Sequence, residues 1–176
     1  MSVLPVLRLG DPRLREQAVA VEEHQFASTQ LRQLIHDLRD TMAARDGAGL
    51  AAPQIGVPLQ VVIFGISSNS RYPEAPPIPE TVLINPVIRP IGQATQLGWE
   101  GCLSVPGLRG QVERWQRIDL QWRDPSGTAR RRTVTGFEAR VVQHECDHLD
   151  GVLFPERLAD RRAFGFSDEL RAAGLL

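Results

Sequence analysis

The chain has 176 residues, 42% of them apolar and 23% charged, with a formal net charge of −1 at pH 7. These are the values of an ordinary globule large enough for one compact domain, and the near-neutral charge offers no electrostatic footprint for nucleic acid or an anionic membrane. All 20 basic residues are arginine, which excludes a phosphate loop with its lysine, a kinase-type lysine and a Schiff-base lysine.

No stretch approaches the length of a membrane span. The start, Met1-Ser2-Val3-Leu4-Pro5-Val6-Leu7-Arg8, lacks a basic region followed by a long apolar run, so no secretory signal is evident. Two cysteines are too few for a disulfide framework, and the expected setting is a reducing cytoplasm. Residues 5–21 form a mixed opening in which Asp11-Pro12 predicts a short helical turn. Ser28 then caps an amphipathic helix: Leu31, Leu34, Ile35, Leu38 and Met42 recur at three- and four-residue steps up to about Arg45. His24 and His36 lie off that stripe and read as surface histidines.

The stretch Gly47-Ala48-Gly49-Leu50-Ala51-Ala52-Pro53-Gln54-Ile55-Gly56 begins like a dinucleotide fingerprint. Its context is reversed, because a helix precedes it and Pro53 prevents one from following. Nucleotide binding is therefore rejected. What remains is a glycine-rich turn in which Gln54 is either incidental or functional. Val61-Val62-Ile63-Phe64 reads as a buried strand. Residues 67–80, with four prolines, read as an extended surface loop. Val82 to Ile88 is strand-like, with Pro86 suggesting an edge or a bulge. Ile118, Leu120 and Trp122 alternate with polar residues, Asp124-Pro125-Ser126-Gly127 supplies a turn, and residues 128–134 return as a hairpin. Arg130-Arg131-Arg132 on that return reads as a solvated strand edge.

After Gly136 comes His144-Glu145-Cys146-Asp147-His148. At about 100° per residue the two imidazoles lie one helical turn apart on one face, so they can take two positions of a metal while Glu145 stands beside any solvent bound there. Phe137 and Val141 share that face and predict an apolar lining. Cys146, about 200° round from His144, is expected in the core. Asp147 either orients a ligand or pairs with an arginine. The tail carries a short helix at 168–173. A helix, several strands, a hairpin and a helix make an α+β fold: antiparallel or mixed β-sheets packed around a central metal-binding helix, residues 1–176 forming a single catalytic domain.

A catalytic site of this kind needs a third protein ligand and one open position. Downstream of His148 there is no further His or Cys, and Asp150 and Glu156 are poorly placed. Upstream, Glu100-Gly101-Cys102-Leu103-Ser104 offers a thiolate at Cys102, which is otherwise a buried free cysteine.

Three motifs in order, the Gly47 to Gln54 run, the Glu100 to Ser104 run and the His144 to His148 run, resemble those of the peptide deformylase family. The likeness extends from Leu7-Arg8, with Gly10-Asp11-Pro12-Arg13-Leu14, to about Phe154. It implies that Cys102, His144 and His148 hold one divalent metal, ferrous iron in many members, with zinc, nickel or cobalt able to occupy the site. Glu145 would be general base and then acid. The Gln54 amide and the Leu103 backbone N–H would face the oxyanion. The backbone of Ala48, Gly49 and Gly101 would pair with the peptide, and Arg109 would lie at the substrate rim. Arg140 departs from the family, falling where some members place an apolar residue in the methionine pocket. The implied activity is removal of the formyl group from the N-terminal formylmethionine of new polypeptides, releasing formate. The implied partners are formylmethionyl peptides and nascent chains, with no direct nucleic acid and no membrane; a transient ribosome contact is left open. Two rivals remain: a metallopeptidase, which wants a ligand after His148, and a structural zinc site, which wants four protein ligands.

Overall fold

A computed structural model describes residues 2–66 and 76–176. The elements are α1 (Thr29–Ala44), β1 (Gly49–Ala51), β2 (Val61–Ile66), β3 (Ile78–Pro90), β4 (Thr95–Cys102), β5 (Val105–Trp115), β6 (Arg117–Arg123), β7 (Ala129–Thr135), α2 (Gly136–Leu149), β8 (Phe164–Phe166) and α3 (Ser167–Ala172). Strands β1-β2-β3-β6-β7 form one sheet and β4-β5-β8 a second. Every pairing between these strands is antiparallel, so the architecture is α+β with antiparallel rather than mixed sheets.

Side-chain alternation along β2 explains the layering. Val62, Phe64 and Ile66 pack with Leu83, Leu120 and the α2 residues Ala139, Val142, Cys146 and Leu149. Val61 and Ile63 point the other way, into a cluster with Leu31, Leu34, Ile35, Leu38 and Met42 of α1. The five-stranded sheet thus lies between the two long helices. A third cluster, Cys102, Val105, Val112 and Phe154, belongs to the three-stranded sheet. Helix α2 is wedged between the sheets, and that position lets one of its faces meet β4.

Helix α1 starts as expected, with Ser28 Oγ accepting from Leu31 N, and the 3-10 turn Pro12–Arg15 is capped by Asp11. Two expectations need correction, one pair of alternatives is decided, and three strands were not foreseen. The Gly47 run is not all turn: residues 49–51 form edge strand β1, and Pro53 sits in the first turn of a 3-10 helix, Ala52–Ile55. There the missing proline N–H costs nothing. The β3 proline marks a bulge but not an edge, since β3 pairs on both sides and its register shifts between Ile84 and Val87. Asn85 occupies that bulge at φ +50°, and its amide bonds both Val21 N and Val21 O at 2.8 Å. The loop expected over 67–80 ends earlier, because β3 begins at Ile78; residues 67–75 lie outside the described residues. Finally, β4, β5 and β8 were not legible as strands at all. Among the described residues, no helix is long and apolar enough to cross a membrane.

Candidate metal centre

Helical pitch sets His144 and His148 one turn apart on α2, ring centroids 5.1 Å from each other. Strand β4 ends at Cys102, which pairs in register with Val105 across a two-residue turn. That turn brings Cys102 Sγ to 3.3 Å from His148 Nε2. One donor atom from each of Cys102, His144 and His148 lies within 4.8 Å of the others, and all three residues are buried. A thiol and two imidazoles at that separation are a donor set suited to a tetrahedral divalent ion. Asp150 and Glu156 do not join it.

The surrounding groups fix each donor. Glu100 Oε2 accepts from His144 Nδ1 at 2.9 Å, which leaves Nε2 of that ring free to ligate. Arg114 binds the same carboxylate at 2.9 and 3.0 Å, and Arg140 Nη1 binds it at 2.8 Å. Burial pushes the Glu100 carboxyl up, but the bonds from His144 and Arg114 outweigh it and hold the group well below the usual carboxylate range. Burial likewise raises the Cys102 thiol, yet His148 and His144 beside it bring it well below its ordinary value, which favours the thiolate that a metal would need. Ser104 N and Gln54 Nε2 each donate to Sγ at 3.4 Å.

Gln54 is buried and held at both ends. Its Oε1 accepts from Ala51 N at 2.8 Å, so its NH2 faces Ser104 Oγ (3.1 Å) and the sulfur. Glu145 is also buried, and its Oε2 has no hydrogen-bond partner. Burial raises its carboxyl above the ordinary range. The carboxylate packs directly on Gly49, where a Cβ would stand 2.5 Å from Oε1. Cys146 points into the core as expected, its thiol raised by burial. Asp147 takes the arginine reading, bonding Arg114 at 2.6 Å and Arg157 at 2.9 Å. Through Arg114 and Glu100 it also stands behind His144.

A narrow cavity of about 30 Å³ opens over these groups. Ala48, Gly49, Gly101, Leu103 and Phe137 line it beside the metal donors. Arg140 borders it too, but its guanidinium turns away to Gly98 O, Val112 O, Gln96 O and Glu100. Arg109 is not at this cavity. It is buried on β5 and lines a neighbouring groove that shares Cys102 and Leu103. Reading the sequence missed Arg114 altogether and gave Glu100 no role.

The polypeptide deformylase family model matches residues 3–164. The chain belongs to the polypeptide deformylase family. It is 57% identical to peptide deformylase 1 of Prochlorococcus marinus, over all of this chain and 91% of that protein. With peptide deformylase 1 of Nitrosomonas europaea it shares 55% identity, over 96% of this chain and 94% of that one. The solved Met-Ala-Ser-bound peptide deformylase of Acinetobacter baumannii superposes with a TM-score of 0.86 at 42% identity, covering 90% of this chain and 100% of that chain. As a deformylase, this protein is a metal-dependent hydrolase that removes the N-formyl group from nascent peptides, and the Cys102, His144 and His148 cluster is its metal-binding group.

Proposed function

We propose that residues 1–176 act as a single catalytic domain in which Cys102, His144 and His148 hold ferrous iron in the cell, with zinc, nickel or cobalt able to replace it. A thiolate with two imidazoles accepts all four ions. When bound, such an ion supplies Lewis acidity and lowers the pKa of water at the site towards neutrality. Glu145 takes the proton of the attacking water as general base and returns it to the leaving amine, so that formate and a free N-terminus result. Its burial supports the role, because a raised pKa suits a carboxylate that must both accept and give a proton near neutral pH. The Gln54 NH2 and the Leu103 N–H face the oxyanion that develops on the formyl oxygen. The substrate is the formylmethionyl end of a nascent chain, met in the cytoplasm with transient ribosome contact. Neither cysteine is in a disulfide, in keeping with a reducing compartment. Its backbone pairs with Ala48, Gly49 and Gly101; the Acinetobacter relative's bound Met-Ala-Ser supports such a peptide path. Arg109 contacts the chain further along.

The observation that carries this reading is the Cys102 Sγ to His148 Nε2 approach of 3.3 Å beside the buried Glu145 Oε2, which has no hydrogen-bond partner. The test is turnover of formyl-Met-Ala-Ser by protein prepared without air, with metal quantified on the same sample. Wild type is expected to turn it over and to bind a hydroxamate inhibitor. Glu145→Ala is expected to keep its metal and lose about 100- to 10,000-fold in kcat. A Glu145→Ala protein as active as wild type removes Glu145 from the role. A Cys102→Ser protein with full metal and full activity disqualifies the sulfur.

A further inference from the structure

Beside the metal cavity runs a groove of about 590 Å³, and its charge is distinctive. Its walls include Arg8, Arg45, Arg109 and Arg171, with no Asp or Glu among the lining residues. Several arginines elsewhere on this surface are matched to carboxylates, among them Arg13 to Asp11, Arg39 to Glu80, Arg123 to Glu23, Arg130 to Asp124, Arg131 to Asp119 and Arg162 to Asp160. Arg32, Arg89, Arg117 and Arg161 are exposed with no ion pair among the described residues; what sets Arg8, Arg45 and Arg171 apart is that they share one groove. Arg8, Arg45 and Arg171 are exposed and make no ion pair among the described residues. Asp46, next to Arg45 in sequence, lines a separate cavity with Glu80. In a chain of net charge −1, three unmatched cations around one concavity focus a local positive potential.

The groove is continuous with the site, since Cys102 and Leu103 line both. Leu103 also approaches Gly47, whose Cβ would meet Leu103 Cδ1 at 3.1 Å. The Leu103 side chain therefore stands at the threshold between the metal cavity and the arginines. A chain whose end sits in the metal cavity has a path past this threshold into the groove, because the two share Cys102 and Leu103. An extended chain advances about 3.3 Å per residue, and a groove of this size takes its next few residues.

We propose that this groove selects formylated chains with acidic side chains at the third to fifth residues, the carboxylates pairing with Arg8, Arg45 and Arg171. The proposal rests on the deformylase reading above and adds a substrate preference to it. Each exposed pair contributes modestly and is screened by salt. The effect is a bias of about tenfold, carried by KM because the arginines lie away from the reacting atoms.

The test compares kcat and KM for formyl-Met-Ala-Asp-Glu-Asp and its uncharged counterpart formyl-Met-Ala-Asn-Gln-Asn, at low salt and at about 0.5 M NaCl. Wild type is expected to favour the acidic peptide about tenfold at low salt, through KM, and to lose most of that preference at high salt. Arg45→Gln/Arg171→Gln should bring the low-salt ratio close to one, and Arg45→Glu/Arg171→Glu should take it below one. Equal kcat/KM for the two peptides in wild type overturns the proposal, as does a preference that survives in both double variants. So does a short RNA oligomer that binds the groove while the acidic peptide gains nothing. Failure of wild type to deformylate either peptide instead overturns the deformylase reading, so the two failures are distinct.

Discussion

A methyl group at position 49 would stand 2.5 Å from Glu145 Oε1 and 2.7 Å from its Cγ, so the glycine is required by the carboxylate that packs on it. Because the obstructed atoms belong to a side chain, Gly49→Ala should fold, with the carboxylate displaced. A displacement of about 1 Å at a reacting group costs on the order of 100-fold in rate. Steady-state kinetics with a melting curve on the same sample check this; a variant with wild-type kcat would show that Glu145 has freedom the packing denies. Arg140 and Gly98 are linked in the same manner. A Cβ on Gly98 would lie 2.9 Å from Arg140 Cζ and Nη2, and the guanidinium fills that space while bonding Gln96 O, Val112 O and Glu100. Arg140 and Gly98 thus fit each other, the glycine leaving the room that the guanidinium occupies. Gly98→Ala should destabilise the wild type yet be tolerated in Arg140→Met, with a coupling of about 1–3 kcal/mol in a double-mutant cycle. Additive effects would dissolve the pairing.

Helices were legible because their apolar residues recur at the helical period, and α1 begins and ends within a residue of its Ser28 and Arg45 signals. The paired imidazoles of α2 could be placed for the same reason. Strand β4 was hidden because its alternation is inverted. Glu100 and Cys102 face inward and are buried, while Leu97 is 49% exposed. Strand β5 hides likewise, with Arg114 buried on the face it shares with Val112 and Arg109 buried on the other. A pattern that seeks apolar side chains inside cannot find a sheet whose inner face carries metal and ion-pair chemistry, and Arg114 was lost with it. The β6–β7 hairpin was visible from its turn, and that turn yields a prediction. Asp124 accepts from Ser126 N, Ser126 Oγ, Thr128 N and Arg130 Nε, and these bonds, led by Ser126, lower its carboxyl to about 2. A carboxyl with a depressed folded pKa contributes stability that is full above its unfolded value of 3.8 and is lost as pH falls through about 2. Asp124→Asn should therefore lower the melting temperature at pH 6, with the gap closing towards pH 2. A gap that is constant with pH would assign the effect to turn geometry rather than charge.

At the scale of the whole molecule, the metal group spans the two sheets. Cys102 ends β4 of the three-stranded sheet, whereas His144 and His148 ride on α2, whose opposite face is packed into the five-stranded sheet. An ion held by all three donors fastens one sheet to the other at the point where β4 also meets α2 through the Glu100 to His144 bond and Arg140. An ion that binds only the folded chain stabilises it by about 2.7 kcal/mol at a free concentration 100 times its Kd. For a domain of this length each kcal/mol is worth about 2–4 °C in Tm, so chelation should lower Tm by roughly 5–11 °C. Hydrogen exchange should quicken first in β4 and β5, which lose their tie to α2, while β2 and β3 keep the cores on both of their faces. Restoring the metal should reverse both changes in wild type and should do so poorly in Cys102→Ser, whose oxygen is a weaker ligand for a soft or borderline ion. If metal-free protein melts at the temperature of the loaded form, the three donors do not act as a clamp between the sheets. Faster exchange spread evenly over both sheets would place the ion's contribution in global stability rather than at the β4–α2 junction.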